Sequence, residues 1–143
     1  MTFAEKLLVA AFLCQIVWTF LVAGMMARAR FGAAAAGRIK GDIALGSTGW
    51  PDDVRKVSNN FANQFETPTI FYALVLLALH LHVASLIYAA LGFLYLASRI
   101  GHTCVHATNN DVVQRSRVFS IGVAALFAMT AIIIIDLIFG IQI

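Results

Sequence analysis

Apolar positions occupy this chain in four long blocks separated by short polar ones. The first, Leu7 to Ala27 ("LLVAAFLCQIVWTFLVAGMMA"), has no charged side chain, and a helix needs about 20 such residues to cross a bilayer. It exceeds the apolar core of a secretory leader and no small-residue cleavage pattern stands out, so a retained helix is expected. The second block, Thr67 to Leu79, is too short alone. Its helix is therefore expected to start upstream, near Ser58, and to carry Glu66 within it. The third block runs from about Val83 to His106 and the fourth from about Arg117 to Gly140, with Asp136 near its far end. The pattern thus predicts helices over about 6–28, 58–79, 83–106 and 116–140, in one domain over 1–143. The connection at His80 to His82 is short, which makes the second and third helices an antiparallel hairpin. "GAAAAG" at 32–37 either extends the first helix or forms a surface turn. The fold class is all-α, an integral membrane four-helix bundle.

Composition agrees with the pattern. Of 143 residues 61% are hydrophobic and 12% charged, against about 25% charged in soluble domains, and the mean hydropathy is +0.87. Arg28, Arg30, Arg38, Lys40, Arg55 and Lys56 surround the first long connection, and Arg99, Arg115 and Arg117 surround the last; only Lys6 lies on the other side. Basic connections face the cytoplasm, so both termini are expected to face away from it. The net charge of +3 is thereby an orientation signal. No basic run is interleaved with stacking aromatics, so no nucleic-acid partner is expected. Cys14 and Cys104 form no CxxC pattern and are expected to be free, buried thiols.

Polar residues inside such segments stand out, because a charge at the centre of a bilayer costs about 2.5–3.5 kcal/mol on insertion scales. Asn59, Asn63 and Glu66 are spaced i, i+4, i+7, and Arg99, His102 and His106 i, i+3, i+7, each set on one helical face. With Arg28, Arg30 and Arg115 they are expected at one membrane depth. A structural reading has the arginines snorkel to headgroups, Glu66 pair with one of them, and the histidines hydrogen-bond at the interface. Pro68 inside a helix would free the carbonyl of Gln64 and open a crevice beside Glu66, or be tolerated, as prolines often are in membrane helices. Arginine forks onto carboxylates and glutamate accepts from ammonium. The set therefore suits a small zwitterion with several carboxylates and an amine, joined by an apolar substrate arriving from the lipid.

"NQFETP" (63–68), "RIGHTCVH" (99–106) and "RSRVF" (115–119), in that order, resemble the MAPEG family, membrane-associated proteins in eicosanoid and glutathione metabolism. The resemblance covers the chain from first helix to last. It implies a homotrimer of four-helix subunits in membrane lipid that binds glutathione between neighbouring subunits on the cytoplasmic side. It further implies a transferase or peroxidase acting on a lipophilic small molecule. By position, Arg115 and Ser116 are the implied catalytic pair beside the glutathione sulfur. Asn63 and Glu66 match an Asn-x-x-Glu that holds the tripeptide, and Arg99 and His102 match an Arg-x-x-His. His106 and Phe119 stand where glutathione-binding tyrosines often occur. Arg28 or Arg30 matches an arginine ending the first helix. Where many members carry an arginine just before the Asn-x-x-Glu, this chain has Asn59, Asn60 and Ala62. Its "FE-x-P-x-x-FY" second helix is of the bacterial type, which puts a bacterial inner membrane ahead of the endoplasmic reticulum. The alternative is a MAPEG-fold binding or scaffold protein without glutathione chemistry. A haem or metal site is disfavoured because His80 and His82 lie on the opposite side from His102 and His106. A proton path is disfavoured because no polar chain links Glu66 to Asp136.

Overall fold

Helix boundaries follow from their caps. Thr2 and Glu5 form a reciprocal capping box, Thr2 Oγ1 accepting from the Glu5 amide at 3.1 Å and Glu5 Oε2 from the Thr2 amide at 2.7 Å, which starts α1 (Phe3–Ala35). The alanine-rich stretch after Phe31 sustains the helix past Arg28, alanine being the best helix former. It stops at Gly37, whose φ is +62°. There the amides of Gly37 and Arg38 donate to the carbonyls of Ala34 (3.0 Å) and Ala33 (2.9 Å), a Schellman ending that favours glycine. The computed structural model describes residues 1–44, 46, 48–108 and 111–140, and all regular elements among them are helical.

The helix expected over 58–79 is in fact interrupted. α2 (Asp52–Ala62) begins after Pro51, a 3-10 turn follows at Asn63–Phe65, and α3 (Thr67–His80) starts again beyond Glu66. Proline explains the correction. In a helix interior Pro68 would clash with the preceding turn and leave a carbonyl without its donor, whereas in the first turn of α3 its missing N–H costs nothing. Glu66, at φ −89° and ψ −98°, absorbs the change of path. α3 ends in a second Schellman arrangement, with His82 at φ 59° and Val83 donating to the Ala78 carbonyl at 3.0 Å.

α4 (Leu86–Ala107) is capped by Ser85, whose Oγ accepts from the Tyr88 amide at 3.2 Å. α5 (Val112–Phe139) is capped by Asp111, which accepts from the amides of Val113 (2.8 Å) and Gln114 (3.1 Å). This cap moves the start of α5 ahead of the expected 116, so Arg115 lies inside its first turn.

α4 packs chiefly against α5 and α1. Phe71 of α3 stacks on Tyr95 of α4 with ring centroids 4.6 Å apart, and the Tyr88 hydroxyl donates to the Leu74 carbonyl at 3.2 Å, so aromatic side chains fill the space between these two helices. α5 comes closest to α4 at Gly122, where a Cβ would collide with Ser98 Oγ and lie 3.3 Å from Ser98 Cβ. Small residues let helix backbones approach in this way. Outside, the chain is apolar: Phe20, Phe31, Phe127 and Leu137 are each more than 70% exposed. α1 and α5 are long and apolar enough to cross a membrane. α3, with 14 residues, spans only about 21 Å by itself. Cys14 and Cys104 are free but exposed, not buried, because they lie on the outward faces of α1 and α4.

Candidate functional site

One end of the bundle holds a cavity of about 210 Å³ lined by Asn63, His102, Val112, Arg115, Ser116 and Phe119. Val112, Arg115, Ser116 and Phe119 repeat at helical spacing and so share one face of α5. His102 comes from α4 and Asn63 from the 3-10 turn. Arg115 is half-buried, and its Nη1 lies 2.6 Å from Nδ1 of His106. The rings of His102 and His106 stack at 5.9 Å, and Phe119 lies 6.0 Å from His102. Ser116 is exposed, and its hydroxyl donates to the Val113 carbonyl at 2.9 Å.

Arg99 lies behind this cavity and is only 2% exposed. Its Nη2 donates to the backbone carbonyl of Asn63 at 2.8 Å. In an unbroken helix that carbonyl would serve the amide of Thr67; the break frees it and Arg99 takes it. Arg99 Nε and Nη1, and Nδ1 of the buried His102, have no hydrogen-bond partner among the described residues. Buried donors of this kind are costly to leave unpaired. The two free N–H groups of Arg99 suit an anionic, hydrogen-bonding group.

Beside the break is a second polar assembly that the pattern of spacings missed. Gln15 of α1 donates to Gln64 Oε1 (3.3 Å), Gln64 donates to the Asn60 carbonyl (3.4 Å), and Thr103 Oγ1 donates to Asn60 Oδ1 (3.2 Å) while accepting from Trp18 Nε1 (3.4 Å). Gln15, Asn60, Gln64 and Thr103 are at most 2% exposed. The inward positions of α2 and the 3-10 turn are therefore Asn60 and Gln64, one position on from the Asn59, Asn63 and Glu66 expected. Asn59 and Glu66 are exposed and Asn63 is half-buried. The signal was present: Gln15 is the one amide in the apolar first block, and Asn60 and Gln64 are spaced i, i+4.

The expected site residues thus divide. Asn63, His102, Arg115, Ser116 and Phe119 line one cavity; Arg99 and His106 adjoin it through Asn63 and Arg115. Glu66, Arg28 and Arg30 do not line it. Arg30 Nε donates to Ser58 Oγ at 3.3 Å and its guanidinium lies 5.4 Å over the Trp50 ring, so it ties α1 to α2. Arg38 does the same through Asp53 at 3.0 Å, holding that carboxyl below its ordinary pKa by hydrogen bonding. Arg28 is exposed and opens onto a groove of about 410 Å³ with Met25, Ala29, Gly32, Arg38 and Val57. Of the two arginines, Arg28 is the one left available.

A sequence model of the MAPEG family matches residues 8–135, a span that runs from α1 into α5 and contains every residue of the cavity. No curated protein and no solved structure gives a significant match.

Proposed function

The chain belongs to the MAPEG family, and on that premise we propose that it is a membrane-embedded, glutathione-dependent transferase or peroxidase acting on lipophilic electrophiles. The observation that carries the reading is Arg115 and Ser116 on the wall of a cavity backed by buried Arg99, two of whose donors are unpaired among the described residues. When bound, glutathione supplies a thiol whose thiolate is the nucleophile. Arg115 lowers the pKa of that thiol, since a fixed cation favours the anion over the neutral form. The first turn of α5 adds the positive end of its dipole, and the Ser116 hydroxyl adds a donor. Arg99 and His102 hold the carboxylates, and Asn63 orients the backbone of the tripeptide.

The apolar partner enters from the lipid. On α5 the cavity face continues as Val123, Leu126 and Thr130, which with Thr67, Ile70 and Phe127 line a second, apolar slot of about 140 Å³. Phe119 and Val123 are one turn apart, so the slot lies on the same side of α5 as Arg115. Glu66 and Arg28 reach no part of the cavity in their own chain. A homotrimer in which neighbouring subunits bring Arg28 and Glu66 to each other's sites accounts for both, with the site on the cytoplasmic side. Native mass spectrometry in mild detergent tests the assembly, and a thermal shift with glutathione tests the ligand. A trimer stabilised by glutathione is expected; a stable monomer, or no shift at saturating glutathione, contradicts the proposal.

A further inference from the structure

The short contact between Arg115 Nη1 and His106 Nδ1, 2.6 Å, dictates more than proximity. A guanidinium has only donors and stays charged, so Nδ1 must offer its lone pair. That ring is then neutral with its proton on Nε2. A proton on Nδ1 would set two donors and two positive charges against each other. From this geometry we infer that His106 is a positioning residue for Arg115: in its neutral Nε2–H form it holds the guanidinium at the cavity wall, and protonation releases it.

The local fold makes this control specific. His106 is 4% exposed in the last turn of α4, and Arg115 is in the first turn of α5, so the bond spans the connection between the helices. His102 stacks on the same ring from one turn earlier, which limits how far His106 can swing. On its own helix His102 stacks on the ring of His106, with Arg99 beside His102; Arg115 approaches from α5, the helix that Asp111 caps. Asn63 of the 3-10 turn, which lines the same cavity as Arg115, is neutral. Of these side chains the arginines stay charged, and the group of the contact that can gain a proton is the His106 ring. The inference rests on the proposed role of Arg115, because only then does placing its guanidinium govern turnover. Acidification would remove the cation from beside the sulfur as well as protonating free thiol in solution, and activity would fall more steeply than thiol ionisation alone allows.

Two variants separate this role from simple packing. In asparagine Oδ1 is the same number of bonds from Cα as Nδ1 in histidine, so His106→Asn keeps an acceptor that does not titrate. His106→Phe keeps a ring and no acceptor. The experiment combines nitrogen NMR of histidine-labelled full-length protein in detergent, without glutathione, with pH profiles of turnover on a model electrophile. Nδ1 of His106 should be unprotonated at neutral pH and its resonance should move in Arg115→Ala. His106→Phe should lose about tenfold in turnover at neutral pH, whereas His106→Asn should retain most of it and keep it to lower pH than wild type. A protonated Nδ1 at neutral pH, or His106→Phe with wild-type turnover and pH profile, would overturn the inference. The NMR needs no glutathione, so it judges the His106–Arg115 contact even if the proposed activity fails.

Discussion

Arg99 donates from Nη2 to the backbone carbonyl of Asn63 at 2.8 Å, and so a buried guanidinium on α4 serves as the missing helical partner of a residue at the break between α2 and α3. One side chain thereby meets two needs: it supplies the Asn63 carbonyl with a donor where the α-helical amide of Thr67 has turned away, and it places a cation at the back of the cavity.

Because the acceptor is backbone, the two partners should not be equivalent on mutation. Asn63→Ala leaves the carbonyl and should change unfolding stability by less than about 0.5 kcal/mol, like most substitutions that break no buried contact. Arg99→Lys keeps charge but loses the fork, and should cost about 1–3 kcal/mol, the range for a charged hydrogen bond or an orphaned buried group. Thermal unfolding in detergent checks this, and equal losses would contradict it.

Gly122 is where α5 meets Ser98 of α4. Gly122→Ala should cost about 1–3 kcal/mol, as overpacking does, and Ser98→Ala should relieve part of that cost by removing the hydroxyl in the way. The double-mutant cycle reads the coupling directly. Strict additivity would mean that the helices shift to accommodate the methyl group.

Glu66 is exposed and in no ion pair among the described residues. Glu66→Gln should therefore leave the melting temperature of the glutathione-free protein unchanged. If the carboxylate receives the ammonium of glutathione, the same variant should weaken binding by about 1–3 kcal/mol. Calorimetry and thermal melts on one preparation decide between these. A lower melting temperature with unchanged affinity would assign Glu66 a structural role.

The parts legible in the sequence were those written in long uniform runs. α1 and α5 each carry a long apolar run, and the matched blocks carried Asn63, Arg99, His102, Arg115 and Ser116 to one end of the bundle. Pro68 was read as a kink within one helix, while its chemistry favours the first turn of a new one. Since an offset of one residue rotates a helical face by about 100°, Asn59 and Glu66 pointed outward and Asn60 and Gln64 inward. The attachment of Arg30 to Ser58 and Trp50 depends on the path of the long α1–α2 connection. Spacing along one helix carries no record of it. The Arg115–His106 bond has the same origin, because it forms only when Asp111 starts α5 early enough to bring the two side chains together.

The central claim, that Arg115 stabilises a glutathione thiolate, is tested most directly by the ultraviolet thiolate band of the bound tripeptide in Arg115→Ala and Arg117→Ala. Arg117 is exposed and lines no part of the cavity, so it serves as a matched control two residues away. Arg115→Ala should abolish the band and most turnover with a model electrophile, while Arg117→Ala should retain both. A full thiolate band in Arg115→Ala, or equal losses in the two variants, would contradict the claim.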